Sequence, residues 1–101
     1  MAKVEFSNAA EADLVEIDEF SVVRFGENVA EIYMQGFNAA FERLRDFPLA
    51  APLRSEFGDG FRCFVHRQHR VFYTASGDSV LIVRILHHSR DARRALKGEA
   101  E

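Results

Sequence analysis

The hydrophobic spacing of this chain changes period once, at Pro48, and that change restricts the fold more than any other feature. Before Pro48, apolar residues recur at steps of three and four, as on one face of a helix; beyond a short irregular stretch they form runs and alternations that suit strands. Ala10, Leu14, Ile17 and then Phe20 or Ser21 keep the helical step, while Glu11, Asp13, Glu16, Asp18 and Glu19 fall elsewhere. Ser7 or Asn8 can accept a hydrogen bond from an orphan amide, and Asn8-x-x-Glu11 has the form of a capping box. Gly26 supplies a left-handed end, and Asn28 is placed to cap a second helix. There Ala30, Tyr33, Phe37, Ala40 or Phe41, Leu44 and Phe47 keep the step until Pro48 forbids continuation. Two antiparallel helices are predicted.

The flanking segments supply the sheet. Residues 3–6 alternate polar and apolar and read as a first strand with Val4 and Phe6 facing inward. Residues 48–60 hold Pro48, Pro52, Gly58 and Gly60 and read as an irregular connection, too short and too apolar for a domain linker. Phe61 to His66, His69 to Ala75 and Ser79 to His87 are rich in Phe, Val, Ile and Tyr, with turns at Arg67-Gln68 and Ser76-Gly77-Asp78, and predict an antiparallel meander. Asp91 to Leu96 can form a short last helix before a polar tail, Gly98 to Glu101. The expected class is α+β in the order β-α-α-β-β-β(-α), a helical hairpin packed on a small antiparallel-rich sheet. At 101 residues the chain holds one core and one domain, residues 1–101.

Composition excludes several classes of function. Cys63 is the only cysteine, so neither an internal disulfide nor a C-x-x-C metal or redox pair can exist. No 18-residue apolar run is present, and Met1 to Phe6 lacks the apolar stretch of a secretory signal, which predicts a cytoplasmic protein without a membrane role. The net charge of −3 hides a contrast. Residues 1–50 carry four basic side chains against ten acids, whereas residues 51–101 carry nine against six together with all four histidines. The contrast fits acidic solvent faces on the helices, and equally a basic working surface on the second half.

The sequence is identified as a member of a known superfamily by several pieces in order. Ser7-Asn8-Ala9-Ala10-Glu11-Ala12-Asp13-Leu14 with Ile17, then Phe25-Gly26, then Leu44 with Phe47-Pro48, resemble the ParE branch of the RelE/ParE toxins. Phe61-Arg62, His69-Arg70-Val71-Phe72-Tyr73 and Val83-Arg84-Ile85-Leu86-His87-His88-Ser89-Arg90-Asp91 are similar to its three sheet motifs. The resemblance covers nearly the whole chain. It implies the toxin of a bacterial type II toxin–antitoxin pair that inhibits DNA gyrase, is neutralised by a ParD-like antitoxin in a hetero-oligomer, and meets DNA only through that complex. No cofactor is implied.

The polar residues leave alternatives open. Arg84 lies in an apolar strand, so its guanidinium must bridge to an Asp or Glu, or emerge where it can grip a carboxylate of the antitoxin tail or a phosphate. Arg62, Arg70 and Arg90 can stabilise charge on a scissile phosphate, but arginine transfers protons poorly, and a nuclease also needs an acid and a base. RelE-type ribonucleases, as the resemblance implies, carry a lysine pair on the second strand and a late tyrosine. Here Arg62 and Phe64 stand at the lysine positions and Leu96 near that of the tyrosine. The residues therefore favour a non-enzymatic toxin, with an mRNA endoribonuclease using Arg62, Arg70, Arg90 and His87 as the alternative, and an inactive antitoxin-binding module as the third reading.

His87 and His88 should point to opposite faces, so at most one of them joins a given site. His66 and His69 can converge across their hairpin, but no further ligands complete a metal site. Of Phe72 and Tyr73, one should face the helices and one the open face of the sheet, where it either packs or stacks on a ligand. Arg62, Arg70, Tyr73, Arg84, His87, Arg90 and Arg93 are the candidates for antitoxin or target contact, with the basic segment Arg90 to Lys97 as the target-facing patch. Cys63 reads as a small buried hydrophobe. Ten phenylalanines exceed the needs of so small a core and predict an exposed groove.

Overall fold

The computed structural model describes residues 1–97; the tail from Gly98 to Glu101 lies outside the described residues. Strand β1 (Lys3–Phe6) leads into helices α1 (Asn8–Phe25) and α2 (Glu27–Asp46). A single 3₁₀ turn at Ser55–Phe57 follows, then β2 (Arg62–His66), β3 (His69–Ser76), β4 (Ser79–His87) and helix α3 (Ala92–Lys97). The four strands pair in the order β1-β4-β3-β2. The meander is antiparallel, and β1 closes the sheet parallel to β4, with Lys3 opposite Ser79 and Phe6 opposite Ile82.

Local chemistry moves several boundaries. Ser7, not Asn8, is the N-cap of α1: its Oγ accepts the Ala10 N–H at 3.0 Å and donates to the Val83 carbonyl at 2.7 Å. The predicted Asn8-x-x-Glu11 box is thus displaced by one residue, and Ala10 stands where its reciprocal acid would be. Asn28 caps nothing in α2. Gly26, at φ 91°, ends α1 and begins α2, and its carbonyl accepts the Ala30 N–H at 3.1 Å. Only glycine takes that conformation without strain, so the helices turn with no intervening loop. Phe61 precedes β2, Ser76 extends β3, and Asp91 lies outside α3, where its Oδ1 accepts the Arg94 N–H at 3.2 Å.

The hairpin covers one face of the sheet. Ile17, Phe37, Phe41 and Leu44 pack on Val71, Tyr73, Val80, Ile82 and Ile85. Phe47, expected on the inner stripe of α2, is 66% exposed, and of the alternatives Phe20 and Ser21 it is Ser21 that faces inward, with Phe20 62% exposed. The opposite face is covered as well: Phe61, Cys63, Phe72, Val83 and Leu86 pack beneath Ala92 and Leu96 of α3. Register slips between Phe72, opposite Arg84, and Tyr73, opposite Ile82, which leaves Val83 as the extra residue of a bulge. Ser7 secures that bulge, since its N–H donates to the Ile82 carbonyl at 2.9 Å while its hydroxyl holds Val83. Tyr73 therefore corrects its expected role. Phe72 and Tyr73 do alternate in facing, but neither face is open, and both side chains are fully buried. The Tyr73 hydroxyl donates to the Pro48 carbonyl at 2.9 Å and accepts the Ala51 N–H at 3.2 Å, tying the 48–60 connection to the sheet.

Candidate functional site

Most of the arginines predicted for the site have structural partners. The Arg84 guanidinium donates to both carboxylate oxygens of Asp13, Nε to Oδ2 at 2.8 Å and Nη2 to Oδ1 at 2.9 Å, and the Ile85 N–H adds a third bond to Oδ2. With the side chains 16% and 13% exposed, this two-pronged pair fastens α1 to β4. A partner's carboxylate would have to displace Asp13 to be gripped there. Arg62 Nη1 donates to the Ala51 carbonyl at 2.7 Å and, more weakly, to that of Leu49. Arg70 Nη2 donates to the Arg90 carbonyl at 2.9 Å, while its guanidinium carbon lies 5.8 Å and 5.5 Å from the ring centres of Phe57 and Phe72. Among the described residues, its buried Nε has no hydrogen-bond partner.

Arg90 and Arg93 are exposed. Arg54, which the sequence did not single out, forms an exposed bridge to Glu56 at 2.9 Å and lies 5.1 Å from the Phe57 ring. That hydrogen bond holds the Glu56 carboxyl below its usual range, with a smaller push from Arg93. Cys63 is buried, and burial raises its thiol pKa, as suits a packing residue rather than a nucleophile.

The histidines gather at the other end of the sheet. His66 and His69 are register partners across the β2–β3 turn, and both rings lie against Tyr33 of α2, at centroid distances of 5.0 and 5.8 Å. The Tyr33 hydroxyl lies 2.7 Å from His69 Nδ1. Burial raises the Tyr33 pKa, so the phenol keeps its proton, and the His66 carbonyl 3.4 Å away is a second acceptor for it beside His69 Nδ1. Burial, reinforced by His87, His66 and His88, lowers the His69 pKa from 6.5 to about 4, so this ring is neutral at physiological pH. Gly36 makes the packing possible, because a Cβ there would collide with the His66 ring.

His87 and His88 do not diverge as expected. The strand ends at His87 and His88 enters a turn, which brings the two rings to 4.4 Å. The exposed His87 accepts the Ser89 N–H at Nδ1 (3.2 Å), with the Ser89 hydroxyl 2.8 Å away. Among the described residues, no group of three or more His, Cys, Asp or Glu is arranged to hold a metal ion.

Between the hairpin tip and the histidines lies a groove of about 530 Å³ that single-sequence reasoning did not locate. Phe20, Arg24, Phe25, Val29 and Tyr33 form its helical wall; Arg67, Gln68, His69 and His87 form the sheet side. The excess of phenylalanine was the signal that such a groove existed, but its position depends on how the helix turn meets the β2–β3 turn. Arg67 holds φ 53°, a left-handed conformation costing a non-glycine residue about 1 kcal/mol, and so sets its side chain beside this opening.

The ParE toxin of the type II toxin–antitoxin system parDE matches this sequence, as a family, over residues 4–92. The chain belongs to the ParE toxin family. A Toxin ParE1 of Mycobacterium tuberculosis is 32% identical to it over 91 residues, which span 89% of this chain and 93% of that relative. A Toxin ParE1 of Caulobacter vibrioides is 32% identical over 96 residues, covering 95% and 99% of the two chains. In structure, the chain is similar to the chromosomal ParDE TA system from P. aeruginosa, with a TM-score of 0.74 at 22% identity over 86% of this chain and 96% of that one. It is less similar to YafQ from E. coli, with a TM-score of 0.54 at 15% identity over 88% and 96%. These likenesses establish the fold, and the ParE family match makes the chain the toxin component of a type II toxin–antitoxin system.

Proposed function

We propose that this ParE toxin inhibits DNA gyrase, stops replication, and is neutralised by a ParD-like antitoxin that wraps it through a segment that folds on binding. The observation that carries this reading is the engagement of the arginines. Arg62 and Arg70 donate to main-chain carbonyls and Arg84 to Asp13, which supports a structural role over the stabilisation of a scissile phosphate. The exposed cations Arg90, just before α3, and Arg93, in its first turn, are the proposed contacts with the target protein. Among the described residues no helix is long and apolar enough to cross a membrane; the proposed site of action is the cytoplasm, where gyrase works.

Expressing the chain alone under tight control, while following thymidine and methionine incorporation over the first minutes, tests this. DNA synthesis is expected to fail first. If protein synthesis fails first, the gyrase reading is wrong and an mRNA endoribonuclease working through Arg62, Arg70, Arg90 and His87 replaces it. If neither fails, the chain is an inactive binding module.

A further inference from the structure

We infer that Ser89 is a phosphoryl-acceptor site, with His87 activating its hydroxyl and neighbouring arginines receiving the transferred group. The turn between β4 and α3 carries the geometry. The Ser89 N–H donates to His87 Nδ1 at 3.2 Å, so that nitrogen holds a lone pair and the proton of the neutral ring sits on Nε2. The Ser89 hydroxyl lies 2.8 Å from the same Nδ1 and is therefore the donor of that bond. A hydroxyl that gives its hydrogen to an imidazole has the arrangement of a nucleophile and its general base. Among the described residues no other serine hydroxyl is bonded to a histidine; that of Ser7, for example, donates to the Val83 carbonyl.

The turn is pinned from several sides. The Arg90 N–H donates to the His87 carbonyl at 2.9 Å and the His88 N–H to the Gln68 carbonyl at 2.8 Å. Arg70 reaches across from β3, and its Nη2 donates to the Arg90 carbonyl at 2.9 Å. Base and nucleophile are thus oriented before any reaction, while Ser89 itself is exposed and open to the active site of a second protein. The surroundings suit an anion. Arg90 follows Ser89 directly and Arg93 stands in the first turn of α3, both exposed. The adjacent carboxylate, Asp91, is already engaged, its Oδ1 accepting the Arg94 N–H at 3.2 Å.

The donor is a nucleoside triphosphate presented by a protein kinase. Ser89 Oγ forms a bond to the terminal phosphorus, the Oγ proton passes to His87 Nδ1, the bond from that phosphorus to its bridging oxygen breaks, and the nucleoside diphosphate leaves. His87 then returns the proton to water. The modified serine carries about −1.5 to −2 charge beside Arg90 and offsets the cationic surface there. That consequence rests on the reading of Arg90 and Arg93 as target contacts; the acceptor site does not.

The probe is diisopropyl fluorophosphate, which forms the same oxygen–phosphorus bond and releases fluoride, applied to the purified full chain. Peptide mapping by mass spectrometry is expected to place the label on Ser89 ahead of the exposed Ser55 and Ser76, and His87→Gln to slow labelling about 100-fold. Labelling spread evenly over the exposed serines, or unchanged by His87→Gln, overturns the acceptor site and leaves a hydrogen bond that only closes the turn. Thermal unfolding checks the variant, and the distribution of label in the wild-type chain decides even where the variant does not fold. In cells, Ser89→Glu is expected to raise survival after induction about tenfold or more, and Ser89→Ala to remain as toxic as wild type. Wild-type toxicity of Ser89→Glu overturns the effect on the target, and loss of toxicity in Ser89→Ala overturns it too by making the hydroxyl a target contact. A wild-type chain without toxicity removes the proposed function, a result distinct from any pattern of labelling.

Discussion

Asp13 accepts three hydrogen bonds from β4, two from the Arg84 guanidinium and one from the Ile85 amide, in a setting where both side chains are mostly out of water. Removing one partner leaves the other charged and poorly solvated. Asp13→Ala or Arg84→Ala is therefore expected to cost about 3 kcal/mol in denaturant unfolding, and the double substitution less than the sum of the two. Additive costs would show that the pair is not coupled. His69 gives a pH signature. Its folded pKa of about 4 lies below the 6.5 of an ordinary histidine, so below pH 6.5 the unfolded chain takes up a proton that the folded chain refuses. The contribution is complete above pH 6.5, declines as pH falls towards 4, and changes no further below that. The groups facing the ring are Tyr33, His66, His87 and His88, with Asp13 opposing the shift. Allowing for solvent screening at a half-buried site, the loss is about 2 kcal/mol, and His69→Asn should flatten the pH slope of stability between 7 and 5. An unchanged slope would place the titration elsewhere.

Among the elements, the two long helices and the meander were legible because each has a strong period and clear stops: Gly26, Pro48, the Arg67-Gln68 turn and Gly77. Boundaries shifted where a hydrogen bond from a distant segment decided them. Ser7 outcompetes Asn8 as a cap because its hydroxyl can also reach Val83, which is remote in sequence. The short α3 was legible as a helix but not in its role. Six residues do not form a stable helix alone, so α3 depends on packing over Phe72, Val83 and Leu86. Leu96 is fully buried in that contact, and Leu96→Ala is expected to cost about 3 kcal/mol and to expose Phe72. A melting temperature equal to wild type would show that α3 is dispensable. The same packing explains why Phe72 is not on an open face: a strand sealed on both faces reads as an unbroken apolar run, the hairpin covering Tyr73 and α3 sealing the second face over Phe72.

At the scale of the whole molecule, charge and apolar surface are distributed unevenly. At the tip of the acidic hairpin the groove is lined by Arg24 and Arg67 and, among the described lining residues, by no acid, while Arg90 precedes α3 and Arg93 lies within it near the end of the described residues. At this scale the expected outcome is that DNA synthesis is the first process to fail when the chain acts alone, as read by thymidine against methionine incorporation. By itself the sequence determined the α+β class, the order of the elements and the toxin family, because these follow from local periodicity, turn residues and motifs in order along the chain. Only the tertiary structure decided which arginines have partners, that Tyr73 is sealed inside, and where the exposed phenylalanines meet Arg24 and Arg67. The physical reason is distance along the chain. Asp13 and Arg84 are 71 residues apart and Tyr33 and His69 are 36 apart, so no local pattern encodes either pairing.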